Sequence, residues 1–219
     1  DGVNSHTCDM DYGLPQGSIV GPRAFTIYII PIGRIIKRHG LSYHMYADDI
    51  QIYISFEPTD LSAIHAALNK LTNCINEIKS WMTCNMLKLN NDKTEFFIAT
   101  SPQSKHQLPT LNLQIGNEII TPSSTVRNLG LIFDDTMSMS PQIISLSSSI
   151  TYHLRNITRI RRFLDFDTCN HVVRSLVLSR LDYANALLLG ANLTSIQRLQ
   201  RLQNWGAKLI FRAPKSDHA

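Results

Sequence analysis

The sequence predicts an α+β fold, with strands and helices mixed up to about residue 136 and helices alone after it. Three observations carry this. Apolar residues alternate with polar ones on both sides of Asp48-Asp49, the period of a half-buried strand. Leu61, Ile64, Leu68, Leu71, Ile75, Ile78 and Met82 recur at three- and four-residue spacing, the stripe of an amphipathic helix. Beyond Ser140-Pro141 the pattern is helical to the end, with no alternating run.

Residues 1–12 read as the end of a strand and a loop, leading into the turn-forming run Gly13-Leu14-Pro15-Gln16-Gly17-Ser18. Ser18 is the expected N-cap of the next helix, with Pro22 in its first turn. Phe25, Ile27, Tyr28, Ile29 and Ile30 predict a largely buried helix that Pro31 kinks or restarts. Leu41, Tyr43, Met45 and Ala47, then Ile50, Ile52 and Ile54, predict a hairpin with Asp48 and Asp49 in its two-residue turn. Thr59 or Asp60 caps the long helix, whose role is to back a sheet. Short strands are expected over 86–89, 96–99, 111–115 and 118–120, with Gly116-Asn117 as a turn, and over 126–134. Residues 101–110 form a polar loop. Ser140-Pro141 reads as N-cap and first-turn proline, opening helices over 141–164, 167–189 with a break, and 195–211.

At 219 residues, with 43% hydrophobic and 17% charged, the chain can bury a sizeable core and is not of disordered composition. The apolar run from Phe25 to Ile36 is interrupted by Pro31, Gly33 and Arg34, so no membrane partner is expected. There is no secretory signal, and the chain opens at Asp1, as a piece of a longer intracellular protein, nuclear or cytoplasmic, would. Cys8, Cys74, Cys84 and Cys169 are scattered and suit reduced thiols better than zinc. Charge is unevenly placed. Residues 1–150 hold 10 Lys/Arg and 13 Asp/Glu, whereas residues 151–215 hold 11 and 3. A basic C-terminal portion suits phosphates, or is simply a solvated face.

Adjacent carboxylates on a hairpin repel each other unless a hard cation neutralises them, and such a tip suits two-metal phosphoryl transfer. Followed by Tyr46-Ala47-Asp48-Asp49 at this distance, the Gly13–Ser18 element resembles the reverse transcriptase family, specifically that of non-LTR (LINE-type) retrotransposons. Leu89-Asn90-Asn91-Asp92-Lys93-Thr94-Glu95 looks like that family's lysine-bearing loop, and Leu129-Gly130-Leu131-Ile132-Phe133-Asp134 like its primer-grip hairpin. The resemblance implies a partial palm over 1–136, an antiparallel sheet backed by helices, and an all-helical thumb-like region over 137–219.

It also implies roles. Asp48 is the principal metal ligand and Asp49 the second, for Mg2+ or Mn2+. Gln16, Gly17 and Ser18 shape the nucleotide and template site. Tyr46 packs either against the primer end or across the strands. Lys93 acts as general acid or electrostatic stabiliser for the leaving pyrophosphate, or is an ordinary surface lysine. Leu129 and Gly130 lie along the primer. Arg155, Arg159 and Arg162, at i, i+4 and i+7, form a row on one helix face able to track a nucleic-acid backbone. The partners implied are an RNA template, a DNA primer and deoxynucleoside triphosphates; nothing in the sequence selects a stable protein partner. The family carries a further catalytic aspartate on a strand before the Gly13–Ser18 loop, and Asp9 and Asp11 stand too close to that loop to supply it. The expected activity is thus RNA-directed DNA polymerisation that this piece alone does not perform. A decayed, non-catalytic nucleic-acid-binding remnant is the alternative.

Overall fold

A computed structural model describes residues 17–116 and 118–213. In chain order the elements are α1 (Gly21–Arg38), β1 (Ser42–Tyr46), β2 (Asp49–Tyr53), α2 (Leu61–Cys84), β3 (Phe96–Phe97), β4 (Leu113–Ile115), β5 (Glu118–Ile120) and β6 (Pro122–Ser123). They continue with β7 (Thr125–Asn128), β8 (Leu131–Asp134), α3 (Ser140–Ile160), α4 (Phe166–Val173), α5 (Ser179–Asp182) and α6 (Leu193–Phe211). Contacts group them into two compact units, one running to Thr94 and resuming over Leu108–Ile120, the other made of Glu95–Gln107 and the chain from Thr121.

In the first unit α1 passes through Pro31 as a single helix. Its N-cap is Val20, not Ser18, whose hydroxyl instead accepts from the Val20 amide at 3.3 Å. The helix is also less buried than its composition suggests. Ile29, Ile32, Ile35 and Ile36 face inward, but Ile27 is 68% and Ile30 48% exposed. One helix face is all that two neighbouring elements can cover. Asp60 caps α2, its carboxylate accepting from the amides of Ser62 and Ala63.

Strands β1 and β2 pair antiparallel, from Ser42↔Tyr53 to Tyr46↔Asp49. Partners opposite each other share a face. Tyr43, Met45, Ile50 and Ile52 pack on the α1–α2 core, while His44, Tyr46, Asp49, Gln51 and Tyr53 look outward. Gly33 lets α1 approach this hairpin, since a methyl there would overlap the Tyr43 hydroxyl. The strand expected at 86–89 is absent. Asn85 ends α2, its side-chain amide donating to the Trp81 carbonyl at 2.7 Å, and Met86 turns left-handed. Leu87 and Leu89 thus reach the core from a loop.

In the second unit β3 pairs in parallel with β6, and β7 with β8 as a hairpin. The run 126–134 is therefore two strands around Leu129-Gly130. Among the described residues the strands form four separate pairs, not one antiparallel sheet. Helix α3 starts after a left-handed Met139, with Ser140 already inside the helix. Its Ile150, Leu154 and Ile157 pack with Cys169, Val173 and Val177 and with Leu202 of α6. Within 167–189 the helix runs on from α4 to α5 through a π-helical segment, Arg174–Leu178, and breaks at Tyr183 and Ala184. No helix among the described residues is long and apolar enough to cross a membrane.

Candidate active site and nucleic-acid interface

The acidic tip is offset by one residue from the sequence expectation. Ala47 and Asp48 make the turn, and Asp49 begins β2 opposite Tyr46. Ala47 takes φ +51°, a region that Cβ–carbonyl crowding disfavours for any residue but glycine. Asp48 and Asp49 are both exposed, and neither carboxylate has a hydrogen bond or ion pair among the described residues. Two adjacent carboxylates with their oxygens free are a donor set that a hard divalent cation fits, though an incomplete one. No group of three or more His, Cys, Asp or Glu among the described residues is placed to hold a metal.

The outer face beside the tip is aromatic. Tyr46 is 68% exposed, and the His44 ring stacks on Tyr53 with its Nε2 3.1 Å from the phenol oxygen. Of the upstream loop, Gln16 lies outside the described residues, while Gly17 takes φ +90° just before α1. Lys93 ends a 3-10 turn, Asn91–Lys93, in the same unit as the tip. Asn91 donates to Glu118 at 3.2 Å, whereas the Lys93 ammonium is exposed without a partner among the described residues.

The remaining sites belong to the second unit. Leu129 (φ +46°) and Gly130 (φ +83°) both lie in the left-handed region, which makes their turn type I′ and matches the twist of the flanking strands. The arginine row is shorter than its spacing suggests. Arg155 and Arg159 are exposed on α3, which ends at Ile160; Arg162 falls in the 3-10 turn beyond it, with its guanidinium 4.6 Å from the Phe163 ring centre. Arg161 turns inward, donating to the Leu164 carbonyl at 2.7 Å, to Ile210 at 2.9 Å and to Leu209, and so caps the end of α6.

Two side-chain roles escaped sequence reasoning. Asp134 is 8% exposed and accepts from the Thr136 hydroxyl and from the amides of Ser138 and Met139 at 2.6, 3.1 and 2.8 Å. Burial pushes its carboxyl up, but these hydrogen bonds outweigh it and hold the group below the usual carboxylate range. The other is Tyr183, whose phenol donates to the Leu129 carbonyl at 2.7 Å. Asp134 with Thr136 and Ser138 close behind it carried a local signal, that of a side chain bonding its own loop. Tyr183 carried none.

The family model described as reverse transcriptase (RNA-dependent DNA polymerase) matches residues 3–133. That span holds the Gly13–Ser18 element, the acidic hairpin, Lys93 and the Leu129-Gly130 turn, and ends before α3. No curated protein and no solved structure matches the chain. With more than half of its length matched, the chain belongs to the reverse transcriptase (RNA-dependent DNA polymerase) family.

Proposed function

We propose that this chain is a partial palm and a helical thumb-like region of an RNA-directed DNA polymerase from a non-LTR, LINE-type retrotransposon, working inside the cell. One observation carries the proposal. In a chain of this family, two adjacent carboxylates stand exposed and unpartnered among the described residues at the tip of a strained hairpin. Strain held at an exposed turn is characteristic of functional sites.

Asp48 is the principal ligand for Mg2+ or Mn2+ and Asp49 the second; the bound ion supplies Lewis-acid stabilisation of the reacting phosphoryl group. Tyr46, on the same outer face as Asp49, offers a ring against the primer end. Gln16, Gly17 and Ser18 border the incoming deoxynucleoside triphosphate and the template. Lys93 places a positive charge, and a proton, where pyrophosphate departs. The turn at Leu129-Gly130 runs along the primer strand, and Arg155, Arg159 and Arg162 hold the backbone without reading its sequence. The palm–thumb division is placed near residue 136 by the order of the motifs, although contacts group the Leu129-Gly130 hairpin with the helices that follow it.

Manganese titration monitored by water proton relaxation tests the reading. Weak binding by the 219-residue chain and its loss in Asp48→Asn are expected; equal binding by both proteins would remove the hairpin from the site. With only these two carboxylates placed to hold metal among the described residues, the chain by itself should not extend a primed RNA template. Template-dependent extension that disappears in Asp48→Ala would refute that. The basic helices favour a second reading, nucleic-acid binding without catalysis, because they need no metal. Salt-sensitive duplex binding by a chain that binds no manganese would select it.

A further inference from the structure

Tyr183 stands just past the end of α5, and its phenol reaches a carbonyl 54 residues back in the sequence, within the same unit. The ring is 57% exposed, so packing alone does not hold it. Its partner, Leu129, is the first residue of a type I′ turn, a position that favours asparagine because a short polar side chain tolerates the left-handed region. Leucine has no such local support. The phenol fixes from outside a backbone conformation that the turn's own sequence does not favour.

The route by which Tyr183 reaches the turn is specific as well. The π-helical segment Arg174–Leu178 ends five residues before it. A π turn accommodates one extra residue, and each residue added to a helix rotates the chain beyond it by about 100°. Without that wide turn the phenol would leave α5 on another side.

We infer that Tyr183 is a positioning residue, which through the Leu129 carbonyl fixes the Leu129-Gly130 turn against the primer strand. The inference rests on the reading of this hairpin as a primer contact. In this role Tyr183 acts through the turn.

The test uses the full 219-residue chain, wild type and three variants: Tyr183→Phe, Tyr183→Phe with Leu129→Asn, and Leu129→Pro. It measures amide hydrogen exchange over Thr125–Asp134 and the Kd for a primed RNA–DNA duplex across a salt series. Loss of one hydrogen bond in Tyr183→Phe should speed exchange about three- to tenfold and raise Kd by a similar factor. The salt slope should stay unchanged, since no cation is removed. Adding Leu129→Asn should restore slow exchange, a rescue that a merely structural tyrosine would not show. Unchanged exchange in Tyr183→Phe overturns the inference, as does failure of the rescue. Leu129→Pro cannot hold φ +46° and serves as the control. If it raises Kd while Tyr183→Phe does not, Tyr183 has no positioning role. If it disrupts the turn and leaves Kd unchanged, the primer-contact reading is what fails.

Discussion

Replacing Asp134 with asparagine should cost the second unit about 2–3 kcal/mol at neutral pH, and the loss should shrink as the solution is acidified. The buried carboxylate gathers three donors, the Thr136 hydroxyl and the Ser138 and Met139 amides. A hydrogen bond to a charged group contributes about 1.5–3 kcal/mol, and asparagine keeps one acceptor oxygen, so roughly half the set is lost. The backbone those bonds hold is itself unfavourable, for Met137 and Met139 sit at φ +53° and +59°. The depressed carboxyl sets the sign. Its folded-state pKa lies below the ordinary 3.8, so its stabilisation is complete above that value and is lost as pH falls through the folded-state value. Urea unfolding can be monitored by Trp205 emission in a Trp81→Phe background, because the two tryptophans lie in different units. Wild type and Asp134→Asn should differ most near neutrality and converge in acid. A gap that stays constant with pH, or no gap at all, would show that the carboxylate does not anchor this loop.

Gly33→Ala should destabilise the first unit by about 1–3 kcal/mol, because the added methyl drives the Tyr43 ring out from between α1 and β1. Trp81 emission in a Trp205→Phe background reads this, and unchanged stability would mean that the ring relaxes freely. Replacing Arg155, Arg159 and Arg162 together by glutamine should weaken duplex binding and flatten its salt slope by about one unit per lost phosphate contact. Lys70 and Lys79, both on α2, should matter much less when replaced, and equal effects would reduce the row to generic positive charge.

Local patterns were the part of this fold most legible in the sequence. The hairpin register is dictated by period-two alternation, since a one-residue slip would turn Tyr43, Met45, Ile50 and Ile52 away from the core. The buried face of α2 and its Asp60 cap are dictated by spacing and residue type. The expectations that failed depended on distant partners or on backbone choices that side chains do not announce. Ser18 and Ser140 have the chemistry of caps, yet Val20 and Met139 hold those positions. The turn takes Ala47 in place of Asp49 because the strand pairing extends to Tyr46↔Asp49. The arginine row is cut short because α3 ends at Ile160, where Arg161 bonds carbonyls at the end of α6, which no spacing rule reveals. As for the site itself, the family's motifs were readable, but their geometry came only with the fold.

The Leu129-Gly130 hairpin shows why. The family match ends at Phe133, and beyond it lie two side chains that bond the hairpin and one that orders the loop following it. The Asp134 carboxylate orders the loop leading into α3. Gln142, on α3, accepts a hydrogen bond from the Ile132 amide at 3.0 Å. Tyr183, near the end of α5, holds Leu129. Contacts accordingly place the hairpin with the helices, although its strands read as the last of the mixed α+β region. A turn with leucine at a left-handed position has no strong conformational preference of its own, and its geometry is a property of the helices that grip it. The motif that the family supplies and the helices outside the match thus depend on each other. The hairpin's strands come from within the match, and helical residues outside it fix where its turn sits.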